Sequence, residues 1–317
     1  MTGGTNGIGR RALEKLIDEH AEWRVLLLAR PSERTAELEA RHAASGRLEI
    51  VPTDLASLES VDDACAVVQR RLTGGIDALV LNAGIQELGG DRSSRDGFEL
   101  TFAVNHLAHF TITQRLVEQM RPGGRIVITA SEVHDPDVFC LVGIARAMWQ
   151  DPLELADVRL SQVHLPAGVE RGEARYSASK LLNVMHARLL ASEAPGVGVA
   201  AFNPSVVPGT GIARERNVLQ RLLWKYVMSP LAPLLPGARS LERSASDLLW
   251  LATEADLLAR SGGYTDGRTP ADGSAESRDA SKIARMRAVS LKLIADARAA
   301  ADQSDIGQGV RRRRGSN

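Results

Sequence analysis

Short, continuous apolar runs alternate along this chain with longer amphipathic stretches. The runs are Arg24–Ala29 (RVLLLA), Leu48–Pro52, Ile76–Leu81, Arg125–Thr129 and Val197–Phe202, with a shorter one at Gly263–Tyr264. Runs this short with no polar alternation predict strands buried on both faces. Between them the apolar positions recur at helical spacing, predicting helices over Arg10–His20, Ser32–Ser45, Leu58–Leu72, Phe98–Met120, Arg175–Glu193 and Leu241–Leu258. Strands alternating with helices make βαβ units, so the pattern predicts an α/β protein with a doubly wound parallel sheet in a single domain.

Two stretches break the rhythm. Residues 132–173 hold no clear period and contain Pro136, Pro152 and Pro166, which marks an insertion. Residues 204–238 are apolar and rich in proline and glycine, with Leu222, Leu223, Trp224, Val227 and Met228, and they suit a lid over a substrate pocket. The α/β unit is therefore placed at 1–267. A C-terminal helix follows over 268–302, with Ile283, Met286, Val289 and Leu293 on one face, and then a polar, basic tail, 303–317, expected to be disordered.

Charge and cysteine content narrow the function. Lys+Arg and Asp+Glu number 39 each, and four of the cations are the run Arg311–Arg314. The folded part is thus slightly acidic, which argues against a nucleic-acid partner. Cys65 and Cys140 form no CxxC and no ligand cluster, so no metal is expected and a reducing compartment fits. His106 and His109 read as helix-packing residues rather than ligands, because no third ligand lies at metal spacing. The most apolar stretch, Val218–Pro236, is interrupted by Arg221, Lys225 and three prolines, and nothing before Gly3 resembles a leader. The expectation is a cytoplasmic protein without stable membrane insertion, and assembly into a homo-oligomer is left open.

Three signals carry chemistry. Thr2-Gly3-Gly4-Thr5-Asn6-Gly7-Ile8-Gly9 opens a helix, and such glycines let backbone approach a pyrophosphate where free N–H groups favour anions. A plain tight turn is the alternative. At the end of RVLLLA stands Arg30, where a dinucleotide fold places the residue that meets the adenosine ribose, and a guanidinium there suits a 2′-phosphate. A surface arginine is the alternative, and Arg10 or Arg34 could share the task. Asp54, after the next strand, would sit near the adenine. The third signal is Tyr176-Ser-Ala-Ser-Lys180. With three tyrosines and five lysines in the chain, chance gives such a pair at a rate of only about 0.05. On a helix the two share a face, and a nearby ammonium makes a phenol, whose free pKa is about 10, useful near neutral pH.

Together with Asn82-Ala83-Gly84, Asn105 in VNHLAHF and Ser131 in RIVITAS, these segments resemble the short-chain dehydrogenase/reductase family, with a Rossmann fold, over residues 1 to about 267. VNHLAHF, SEVHDP and the long gap before Tyr176 are most similar to the branch of retinol dehydrogenases and protochlorophyllide reductases. The resemblance implies an NADP-preferring oxidoreductase acting on a carbonyl or alcohol of a lipophilic small molecule. Tyr176 would be the proton donor or acceptor, Ser131 would hold the substrate oxygen, Lys180 would tune the phenol and bind ribose, and Asn105 would keep a water in the relay. Gly3, Thr5, Asn6, Gly7, Ile8, Gly9, Arg30, Asp54, Leu55, Asn82, Ala83, Gly84, Pro204, Val207 and Thr210 would join Tyr176 and Lys180 around NADP.

Asn203-Pro204-Ser205 departs from the family's Asn-Pro-Gly, Thr210 falls one residue late, and the gap from Ser131 to Tyr176 is long. Competing readings are a nucleotide-binding redox sensor without turnover, a truncated inactive form, and a peripheral membrane protein. In this fold the glycine-rich turn leaves the end of the first strand, yet Thr2 follows Met1. The first strand is expected to be missing from the chain as written, with about six to ten apolar residues upstream in the working protein, or else a shortened chain.

Overall fold

A computed structural model describes residues 1–88, 91–138, 147–164, 168–207 and 238–314. The elements are α1 (Gly7–Glu19), β1 (Val25–Ala29), α2 (Glu33–His42), β2 (Leu48–Pro52), α3 (Leu58–Arg71) and β3 (Ile76–Leu81). After them, α4 (Leu100–Phe102) passes through a π-helical turn (Ala103–Leu107) into α5 (Ala108–Leu116). Then come β4 (Met120–Thr129), α6 (Pro152–Ala156), α7 (Val158–His164), α8 (Val169–Glu193), β5 (Gly198–Asn203), α9 (Leu241–Thr253), β6 (Gly263–Asp266), β7 (Thr269–Ala271) and α10 (Ala280–Arg314).

The expected α/β architecture is present. β1 pairs with β2, and β3 to β7 pair in sequence order, all parallel except the β6–β7 edge. Strand alternation sends side chains to both faces. Leu26, Leu28, Ile126, Ile128, Val199 and Ala201 pack with α3, α5 and α8. Val127, Ala200 and Phe202 meet α9, while Val25 and Leu27 meet Leu13 and Ile17 of α1 and Leu38 of α2. This two-sided burial is why the strands read as unbroken apolar runs. Helix α10 lays Met286, Val289 and Leu293 against a cluster that includes Leu181, Leu182 and Met185 of α8.

Thr2 bridges Leu28 of β1 on one side and Leu81 of β3 on the other. The Thr2 N–H donates to the Val80 carbonyl and the Leu28 N–H donates to the Met1 carbonyl, each at 2.9 Å. The Met1 ammonium also donates to the Leu26 carbonyl at 2.6 Å, so Met1 and Thr2 join β1 to β3.

Several boundaries differ from the sequence reading. Helix α8 begins at Val169, ahead of the start at Arg175 read from the sequence. Gly172 presses on the Glu87 carbonyl so closely that a Cβ would lie 2.2 Å from it, a tertiary contact with no local signature. The stretch 132–173, in which the sequence shows no period, holds α6 and α7. The helix read over Phe98–Met120 is interrupted by the π turn and ends at Leu116, and the helix read to Leu258 ends at Thr253. β7 falls within the region assigned to a C-terminal helix. Helical backbone continues through 303–314, where a disordered tail was expected. An apolar stripe decides whether a helix docks, whereas Ala, Gln and Arg have the propensity to form one without it.

Candidate active site

The glycine-rich turn is built around Thr2. Its Oγ1 accepts the Asn82 and Ala83 N–H groups at 3.0 and 3.1 Å, and the Asn82 amide donates to the Gly3 carbonyl at 3.1 Å. Gly3 has φ +71°, and a Cβ on it would lie 2.6 Å from the Ala83 nitrogen. One on Gly9 would lie 2.2 Å from the Gly3 carbonyl oxygen. The turn therefore has to be glycine to sit on the end of β3. The helix it opens is left bare. Asn6 makes no side-chain cap and the first turn of α1 carries no acid, whereas α2, α3 and α9 are capped by Ser32, Ser57 and Ser240. An uncapped N-terminus presents free N–H groups and the positive end of the helix dipole, which fits a pyrophosphate.

Arg30 lines a surface depression with Pro31, Pro52, Thr53, Asp54, Ser60 and Arg95. Arg10 is committed elsewhere, to Glu14 at 3.0 Å and Glu37 at 2.7 Å. Asp54 accepts the Ala56 N–H at 3.1 Å and lies 3.6 Å from Arg95. Leu55 packs against the core beside it. Arg95, on the loop before α4, had no local signal in the sequence.

At the other end, four elements converge. Lys180 and Asn183 of α8 both donate to the Thr129 carbonyl at the end of β4, at 3.0 and 3.1 Å. Ser131 is two residues further on. The Lys180 ammonium lies 5.5 Å from the centroid of the Tyr176 ring, one turn back on the same helix. Both are buried. Burial lowers the Lys180 pKa to about 8, so it stays mostly charged at neutral pH. Asn105, in the π turn, accepts the Ile85 N–H at 2.8 Å and donates to the Ile85 carbonyl at 2.9 Å and to Ser179 at 3.0 Å. A Cβ on Gly84 would lie 3.5 Å from both Asn105 Oδ1 and Lys180 Nζ. Asn183 could have been found from its helical spacing to Lys180.

The β5 end adds a polar brace. Asn203 accepts the N–H groups of Glu132 and Ser205 at 3.2 and 3.0 Å, and donates to Asp266 of β6 at 3.0 Å. Ser205 has φ 62° and donates its hydroxyl to Asp266 at 3.0 Å. Arg239 completes the group at 3.1 Å from Asp266. Burial, then the Asp266 charge, raises the Glu132 pKa to about 7. Pro204 accepts the Ser244 hydroxyl through its carbonyl, and Val207 is buried. Thr210 and most of the expected lid, 208–237, lie outside the described residues, as does Cys140.

His106 and His109 are fully buried, and burial lowers both pKa values to about 3, with Lys180 adding to the effect on His109. Among the described residues no helix is long and apolar enough to cross a membrane.

A family profile described as short chain dehydrogenase matches residues 1–141. A short-chain dehydrogenase of Talaromyces variabilis is 27% identical over 89% of this chain and 91% of its own. The chloroplastic protochlorophyllide reductase B of Hordeum vulgare is 32% identical over 72% of this chain, which spans 61% of that relative. Among solved structures, the NADPH-bound carbonyl reductase from chicken fatty liver superposes with a TM-score of 0.61 at 18% identity, covering 86% of this chain and 96% of that one.

Proposed function

The chain belongs to the short-chain dehydrogenase/reductase family, on the branch that includes protochlorophyllide reductases, and from that premise we propose that it transfers a hydride between NADP(H) and a carbonyl or alcohol carbon of a lipophilic small molecule. The observation that carries the reading is the buried Tyr176–Lys180 pair anchored on the β4 end, two residues before Ser131. The bare N-terminus of α1 supports a pyrophosphate, and the apolar composition of 204–238 supports a lipophilic substrate.

When bound, the nicotinamide supplies or accepts the hydride. The protein's own part is proton delivery and charge stabilisation. In reduction, the Tyr176 hydroxyl gives its proton to the carbonyl oxygen as charge develops there, and the Ser131 hydroxyl donates a hydrogen bond to that same oxygen. The Lys180 ammonium, held by Thr129, favours the phenolate left behind. Both Asn105 amide hydrogens are taken up by Ile85 and Ser179, so a relay water at Asn105 has to be held by one of its oxygens. In oxidation the same groups act in reverse.

The test is an NADPH-oxidation screen against ketones, aldehydes and quinones, followed by Tyr176→Phe. The variant is expected to lose about two orders of magnitude or more of turnover, the usual worth of general acid catalysis, while still binding NADPH. Unchanged turnover with unchanged cofactor binding would remove Tyr176 from the mechanism.

A further inference from the structure

His134 stands three residues beyond Ser131, at the end of a 3-10 turn (Glu132–His134) that starts from the serine. Its side chain is buried. The ring makes two hydrogen bonds of opposite sense. The Ser274 backbone N–H points at Nε2 at 3.1 Å, and Nδ1 lies 2.7 Å from the Ser131 carbonyl oxygen. A backbone N–H can only donate, so Nε2 has to be the bare acceptor nitrogen. A carbonyl can only accept, so Nδ1 has to carry the proton. The two contacts fix one neutral tautomer, the reverse of the Nε2–H form that free imidazole side chains favour.

The far side of this contact is firmly held. The Arg278 guanidinium donates to the carbonyls of Asp272 and Gly273 at 3.2 and 2.9 Å, and Arg188 of α8 donates to Asp272 as well. Gly273 has φ +69°, and a Cβ there would lie 3.2 Å from His134 Nε2, so glycine admits the ring at this distance. The Tyr264 ring packs on His134 with centroids 4.6 Å apart. The segment after β7 thus reaches back to the turn that follows β4.

We propose that His134, as the Nδ1–H tautomer, is a positioning residue that fixes the Ser131 backbone, and with it the serine hydroxyl, by tying the Ser131 carbonyl to the 272–274 loop. The inference rests on the reading of Ser131 as the group that holds the substrate oxygen. Asn203 restrains the next residue from the other side through the Glu132 N–H, so Ser131 is gripped between β5 and the loop after β7. Sub-ångström placement of such a donor decides how well it meets the developing charge.

Two measurements test it. The ¹⁵N shifts of the His134 ring in the full chain are expected to show a protonated Nδ1 and a bare Nε2; the reverse tautomer, or a charged ring at neutral pH, overturns the tether without reference to activity. Turnover of phenanthrenequinone with NADPH is then compared in a double-mutant cycle. His134→Phe keeps the packing on Tyr264 and is expected to lower kcat about tenfold to a hundredfold with KM for NADPH unchanged. His134→Asn, which keeps a donor toward the Ser131 carbonyl, is expected to recover part of that loss, and Gly273→Ala to reproduce it from the loop side. In a Ser131→Ala background His134→Phe is expected to cost almost nothing further. An equal kcat loss in both backgrounds means His134 supports the fold only, and the proposal falls. If Ser131→Ala itself leaves turnover intact, the assigned role of Ser131 fails, and the ring shifts alone decide whether the tether exists.

Discussion

At the scale of single residues, the side chains that stand where a simpler pattern would put another define the site most sharply. Ser205 occupies a left-handed conformation that favours glycine, and its hydroxyl bond to Asp266 offsets the strain. Strain relief of about 1 kcal/mol and a hydrogen bond of about 0.5 to 1.5 kcal/mol nearly cancel, so Ser205→Gly is expected to change stability by less than about 1 kcal/mol. Ser205→Ala keeps the strain and loses the bond, and Ser205→Val adds the clash of a branched side chain. Urea unfolding should rank them Gly and Ser together, then Ala, then Val; an alanine variant as stable as the glycine one would show that the hydroxyl carries no weight. Arg30 is the other such residue. On the proposed NADP reading the 2′-phosphate meets Arg30 in the depression where Asp54 faces Arg95, and Arg30→Asp is expected to shift the preference from NADPH to NADH. Titration of both nucleotides decides it, since equal affinities in parent and variant would make Arg30 a surface residue.

At the scale of elements, what matters is which face each helix commits and where it stops. Helix α8 commits nearly its whole surface, so Tyr176, Ser179, Lys180 and Asn183 are fixed from all sides. Helix α10 does the opposite. Among the residues whose side chains are described, its last buried position is Ile294, and Arg298 pairing with Asp62 at 2.8 Å is the last ion pair described along it. Residues 303–314 continue the helical backbone without an apolar stripe to dock. Removing 303–317 is therefore expected to leave the melting temperature and turnover close to those of the full chain, with only a small loss of helix signal by circular dichroism. A drop of more than about 5 °C, equivalent to roughly 3 kcal/mol at this size, would show that this end docks after all.

At the scale of the whole molecule, the buried histidines set the response to acid. His106, His109, His134 and His186 all have pKa values lowered by burial, the first two to about 3 from an ordinary 6.5. The folded protein keeps them neutral while the unfolded chain takes up protons below about pH 6.5, so their contribution is present above that pH and is lost as the pH falls toward 3. Each group contributes a slope of about 1.4 kcal/mol per pH unit. Glu132 acts oppositely, because its raised pKa of about 7 makes its contribution fade as the pH rises from 4.5 to 7. Denaturant unfolding at stepped pH is expected to show stability falling steeply from pH 6.5 to 4.5, with a net slope of several protons. A flat profile across that window would mean that the histidines are not held neutral.

Much of this was written in the sequence, for a physical reason. Strands buried on both faces need unbroken apolar runs, so β1, β2, β3 and β5 were legible to within a residue. A glycine-rich turn into a helix and a tyrosine four residues before a lysine are local demands of the chemistry, so they too survive as local patterns. The tertiary structure decided what depends on meetings between distant segments: Arg95 beside Arg30, Gly172 seated on Glu87, the π turn that brings Asn105 to Ile85, and the short edge strand β7. It also decided the far partner of His134, because Nδ1 meets the Ser131 carbonyl within the same turn but Nε2 meets the Ser274 N–H only once the chain folds back, more than a hundred residues later. Periodicity reports which face is buried; only packing says against what.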